Sequence, residues 1–175
     1  MNFESLKQQI KTATKNAFLE NLRKHGKEIC GFALVSDDGA MTVVPYTNTS
    51  THLQKMQKED PVYKEVYEFE PAEWYTSDGA NDEVNAICKT LNKEVLRENV
   101  NFEAFKKQLF ETCVEVLEEL QHDNFLKDNL QKDILVLFSI SDTDEPEENL
   151  IKWSKRTNTI TYAEAYQAYK NKVWE

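Results

Sequence analysis

Glycine and proline are scarce in this sequence, with four of each in 175 residues. An all-β sandwich needs a tight turn about every ten residues, so that class is excluded and helices must carry much of the architecture. Cysteine is limited to Cys30, Cys88 and Cys113, an odd number without a C-x-x-C pair. This spacing excludes a disulfide framework or a zinc site and predicts buried, reduced thiols. No apolar run approaches 18 residues, and Met1–Ser5 leads into a charged amphipathic stretch rather than a basic segment followed by an apolar one. A cytoplasmic protein without membrane spans is the expectation. H-E-x-x-H, G-x-G-x-x-G and Walker patterns are missing, and His25, His52 and His122 sit in helix-end or loop contexts with no nucleophile motif around them. Neither a cofactor nor a catalytic residue is implied.

What is present describes a folded chain. Hydrophobic residues make up 40% and charged residues 30%, with nine Phe, seven Tyr and three Trp, which is not the composition of a disordered protein. At this length a single domain over residues 1–175 can bury roughly 70% of the surface of its unfolded chain. The net charge of −10 comes from the last two thirds, since residues 1–60 are nearly balanced. Nucleic acid is a poor partner for such a surface, because its binding depends on Lys and Arg neutralising phosphates. A basic protein partner is better matched.

Periodicity predicts the order α-β-β-β-α-α-β-α-α. Phe3, Leu6, Ile10, Ala13 and Ala17 stripe a first helix that ends at Gly26. Residues 28–36 and 41–47 read as a β-hairpin turned at Asp37-Asp38-Gly39-Ala40, with Pro45 marking a frayed or edge strand. Residues 48–61 read as a loop with a helical turn around His52–Lys58. Alternating Tyr63, Glu65, Tyr67 and Phe69 suggest a third short strand. Asn81 and Asn101 are expected to cap two helices, the second with a strong stripe from Phe102 to Leu120. Residues 134–140 are almost continuously apolar and predict the central strand of the sheet. A helix from about Asp144 to Arg156 follows, and a Thr161/Glu164 capping box opens a last helix striped by Tyr162, Tyr166, Tyr169 and Val173. These expectations make an α+β fold, a small, mostly antiparallel sheet packed with about five helices.

Two segments carry candidate chemistry. Ser141-Asp142-Thr143-Asp144-Glu145-Pro146-Glu147-Glu148 presents carboxylates that can stabilise a helix N-terminus, meet a basic partner or hold a divalent cation. It is not an EF-hand, since counting from Asp142 puts Glu147 where glycine belongs and Trp153 where the last glutamate belongs. The other is Glu65, Glu68, Glu70 and Glu73 interleaved with Tyr63, Tyr67, Phe69, Trp74 and Tyr75. Aromatics among acids can anchor a basic partner, or the aromatics can be core and the acids solvated.

Phe32-Ala33-Leu34, Asp37-Asp38-Gly39, Pro45 and Asn48-Thr49, then Phe69-Glu70-Pro71-Ala72-Glu73-Trp74-Tyr75, then Ser141-Asp142 through Trp153 to Asn158, resemble a family of small bacterial proteins known only as a domain of unknown function. The chain departs from that pattern in having Thr159, not proline, after Asn158. The resemblance implies an immunity-type role, in which the protein binds a bacterial toxin in the cytoplasm and occludes its basic active-site surface. The partner-binding residues would then be Glu70, Glu73, Trp74, Tyr75, Asp142, Asp144, Glu145, Glu147 and Glu148. Two other readings are an enzyme with a carboxylate or metal site near Asp142 and Asp144, and a structural homodimer.

Overall fold

The computed structural model describes residues 1–172. Val173, the last position of the expected C-terminal stripe, lies outside the described residues. The chain opens with α1 (Phe3–His25), capped by Asn2 through Ser5 N and closed by Gly26 at φ +56°, a conformation that favours glycine. The hairpin follows as β1 (Ile29–Asp37) and β2 (Val43–Thr49). Its turn differs from a tight Asp-Gly turn. Ala40, not Gly39, takes the left-handed conformation, and Asp37 Oδ1 holds the longer loop by accepting from Met41 N, Thr42 N and the Thr42 hydroxyl.

The segment after the hairpin is more helical than its pattern suggests. Thr49 caps α2 (Ser50–Glu59), a full helix where a loop with a helical turn around His52–Lys58 was expected. The strand expected at residues 63–69 is instead a 3₁₀ turn at Pro61–Tyr63 and the one-turn helix α3 (Val66–Phe69). Val66 and Phe69, three residues apart, pack toward one cluster, which a helical turn permits and an alternating strand does not. The next helices are α4 (Asn81–Val95), α5 (Phe102–His122) and α6 (Phe125–Leu130). Asn101 caps α5 as expected, but Asn81 is already helical, with Ala80 left-handed before it. Then come β3 (Leu135–Ser141), α7 (Glu147–Thr157) and α8 (Ile160–Lys170). Thr161 lies inside α8, so the expected capping box does not form; Thr159 takes the cap position without a side-chain bond.

The fold is α+β, built on a three-stranded sheet of order β2-β1-β3. It is mixed: β1 pairs antiparallel with β2 and parallel with β3. Edge strand β2 accommodates Pro45, whereas β3, expected at the centre, is the other edge. Its apolar run reflects cover on both faces. On one face Phe32, Leu34, Val136 and Phe138 join the cluster that includes Ile10, Phe18, Ile87, Leu109 and Leu117 from α1, α4 and α5. On the other face Ala33, Leu135 and Leu137 meet Phe69, Trp74, Tyr166 and Tyr169. Asn158 and Thr157, at the end of α7, close the β3 edge by hydrogen bonding to the Val136 backbone.

Ion pairs bind the helical layer from outside. Lys7 reaches Glu115 and Glu119, Lys11 reaches Glu119, and Arg156 on α7 spans Glu111 and Glu118 on α5. Gly79 sits at φ +126°, and a Cβ there would lie 2.9 Å from the Ala17 Cα, so the approach of the residue 76–80 segment to α1 requires glycine.

Candidate functional site

The acidic loop leaves β3 through Asp142, whose φ of +52° turns the chain away from the sheet. Asp38, in the hairpin loop, pins it. Asp38 Oδ1 accepts from the Thr143 hydroxyl at 2.9 Å and from Lys106 Nζ at 2.6 Å, joining the hairpin, α5 and the acidic loop at one carboxylate. These two donors hold the Asp38 carboxyl below its usual range. Asp142, Asp144, Glu147 and Glu148 are exposed and form no ion pair among the described residues. Glu145 is half-buried and accepts from Asn149. Glu147 and Glu148 occupy the first turn of α7, where the helix dipole favours negative charge, and Pro146 makes no side-chain cap.

The second segment divides. Trp74 is buried, with 6% exposure, and its Nε1 donates to the Glu68 carbonyl. It packs so closely on Gly31 that a Cβ there would lie 3.0 Å from the indole. Trp74 is thus a core residue, not a surface anchor. Glu70 accepts from the Tyr169 hydroxyl at 2.8 Å and from Lys170 at 2.6 Å. Glu73 is exposed, and Tyr75 is half exposed but lies against two histidine rings.

Both acidic segments lie within electrostatic reach of α8. Burial, then the charges of Glu70 and Glu147, push the Tyr166 hydroxyl upward; burial, Glu70, Glu65 and Glu147 do the same to Tyr169. Glu68 is also raised, by burial and then by Glu65. Among the described residues no three His, Cys, Asp or Glu side chains converge to hold a metal ion. None of the helices among those residues is long and apolar enough to cross a membrane.

A family model described as a domain of unknown function (DUF4303) matches residues 10–159. The chain belongs to this family. No curated protein and no solved structure matches it. The matched stretch runs from within α1 through the sheet, the acidic loop and α7 to the residue after Asn158, and α8 lies beyond it. Family membership therefore covers the Asp38–Thr143 tether and the Asn158 edge closure, while the Glu70 contacts with Tyr169 and Lys170 involve a helix outside the matched range.

Two arrangements were not legible in sequence. Asp38 and Thr143 are distant in the chain, and neither carries a motif that points to the other. His25 and His52 meet across Tyr75, with ring centroids 5.1 and 5.7 Å from the tyrosine ring. The only sequence signal for that meeting was the aromatic at position 75. The thiols also differ in burial: Cys113 is fully buried, while Cys30 and Cys88 are half-buried. Burial raises Cys30 to about 11, which makes it a poor nucleophile at neutral pH.

Proposed function

We propose that this protein is a binding module of the immunity type, which neutralises a cognate bacterial toxin in the cytoplasm by covering the toxin's basic active-site surface. The observation that carries the reading is the run of four exposed carboxylates at Asp142, Asp144, Glu147 and Glu148, which form no ion pair among the described residues and follow a loop that Asp38 tethers through Thr143. Elsewhere many acidic side chains are neutralised internally, as Glu119 is by Lys7 and Lys11. An unpaired acidic run costs self-repulsion in the free protein and is relieved by a partner's Lys and Arg side chains, which also steer its approach. Trp74 is buried and offers no side chain to a partner, and Tyr75 faces the rings of His25 and His52.

The enzyme reading gains less support, because Asp142 and Asp144 are exposed and no histidine bonds to either among the described residues. The test is co-purification from the native host with wild type and with a folded variant carrying Asp142→Lys, Asp144→Lys and Glu147→Lys. Recovery of a basic protein whose activity the wild type inhibits and the variant does not would support the proposal. Equal inhibition by both would overturn the assigned surface.

A further inference from the structure

A cleft of about 400 Å³ opens between the end of α1, the first turns of α2 and the segment after Glu73, within the size range of small-molecule sites. Lys24, His25, Glu28, His52, Lys55 and Tyr75 line it. Two of the chain's three histidines thus share one cavity, each set edge-on to Tyr75 at interplanar angles of 81° and 61°. The three rings come from separate elements. His52 Nε2 lies 3.1 Å from the Glu73 carbonyl oxygen. A carbonyl only accepts, so Nε2 carries the hydrogen and Nδ1 is the free position of the neutral ring. Asn21 donates to the Asp78 carbonyl and Lys24 pairs with the Asp78 carboxylate, which holds the segment after Tyr75 against α1.

The charges around the cleft run against those of the molecule. In a chain with 31 acidic and 21 basic side chains, the lining has two lysines and one carboxylate. That carboxylate, Glu28, accepts from the Ser50 hydroxyl at 2.5 Å and the Thr51 hydroxyl at 2.9 Å, bonds that lower its pKa and keep it charged. Lys132 adds charge beside it, donating to the Lys27 carbonyl at 2.6 Å. Lys55 is exposed and has no acidic partner among the described residues. With Lys24 held by Asp78 and Glu28 kept charged, the lining cation that the cleft leaves open to an anion is Lys55.

We propose that this cleft binds a small molecule through an oxyanion group, either a phosphate or a carboxylate, with Lys55 as its cationic contact and His25, His52 and Tyr75 as its walls. The site is separate from the acidic loop and opposite to it in charge, so it stands or falls independently of the toxin-binding reading.

The test follows the ring C–H resonances of the three histidines by NMR in the full chain, at fixed pH and ionic strength, during titration with inorganic phosphate and separately with acetate. A saturable shift at His25 and His52 but not at His122 is expected, and the anion that saturates at lower concentration identifies the group. Lys55→Glu should weaken that binding at least tenfold with an unchanged melting curve, and Lys55→Gln provides the comparison if the glutamate variant does not fold. Absence of a shift with both anions, a parallel drift of all three histidines, or unchanged binding in the Lys55 variants would overturn the proposal.

Discussion

Asn158 takes the place of a neighbouring strand for Val136. Its Oδ1 accepts from Val136 N at 2.8 Å, and its Nδ2 donates to Val136 O at 2.5 Å. One side chain thereby satisfies both backbone groups at an otherwise open sheet edge, where unpaired donors and acceptors are costly or recruit other chains. Asn158→Ala should lower stability by about 1–3 kcal/mol, read as a shift in urea midpoint with an unchanged slope. Loss below about 0.5 kcal/mol would mean that solvent replaces the amide without penalty.

Adjacent aromatics should behave differently. Trp74→Ala removes an indole packed on Gly31 and should cost about 3–5 kcal/mol, whereas Tyr75→Ala loses edge contacts at a half-exposed site and should cost about 1 kcal/mol. Thermal unfolding of the two variants checks the ordering, and equal losses would contradict the core role given to Trp74.

Glu68 and Glu119 should give opposite pH signatures. The folded-state pKa of Glu68 is raised by burial, so its contribution is favourable below the unfolded value of about 4.3 and is lost as pH rises through the folded value. Glu68→Gln should therefore stabilise at pH 7 and change little at pH 3. The carboxyl of Glu119 is lowered by bonds from Lys11 and then Lys7, so its contribution is present above the unfolded value and fades as pH falls through the folded one. Glu119→Gln should destabilise at pH 7 and converge on wild type in acid. Denaturant titrations at both pH values decide the signs.

Asp38→Ala removes the acceptor shared by Lys106 and Thr143. Amide exchange should accelerate across residues 142–145 while β1 and β3 keep their protection. Unchanged exchange in the loop would show that Asp38 does not restrain it.

Charge reversal at Asp142, Asp144 and Glu147 should slow association with a basic partner at least tenfold at low salt and flatten the dependence of its rate on ionic strength. Stopped-flow mixing across a salt series provides both readings.

Long elements were legible because their patterns are long. The stripe from Phe102 to Leu120 fits only a helix, and the apolar run of residues 134–140 fits only a buried strand. Short ones were not: over seven residues, Tyr63, Glu65, Tyr67 and Phe69 match a strand by alternation, yet a single helical turn packs half-buried Val66 and buried Phe69 against one cluster. The placement of β3 failed for a different reason. A continuously apolar strand reports cover on both faces and carries no information about its lateral neighbours, and the group that covers its edge, Asn158, lies some twenty residues farther along the chain. The acidic loop was visible as composition, but its tether to Asp38 was not, because a contact between residues about a hundred positions apart leaves no local pattern.

The parallel pairing of β1 with β3 brings Gly31 opposite Leu135 and Asp37 opposite Ser141. On the ribosome, β1 can pair with β2 almost at once, but its other side waits for roughly a hundred more residues, or about 5–20 s at ordinary elongation rates. Throughout that interval the nascent chain carries a half-finished sheet with one hydrogen-bonding flank unoccupied. Chaperone demand and sensitivity to slowed translation should both concentrate in the codons between the hairpin and β3.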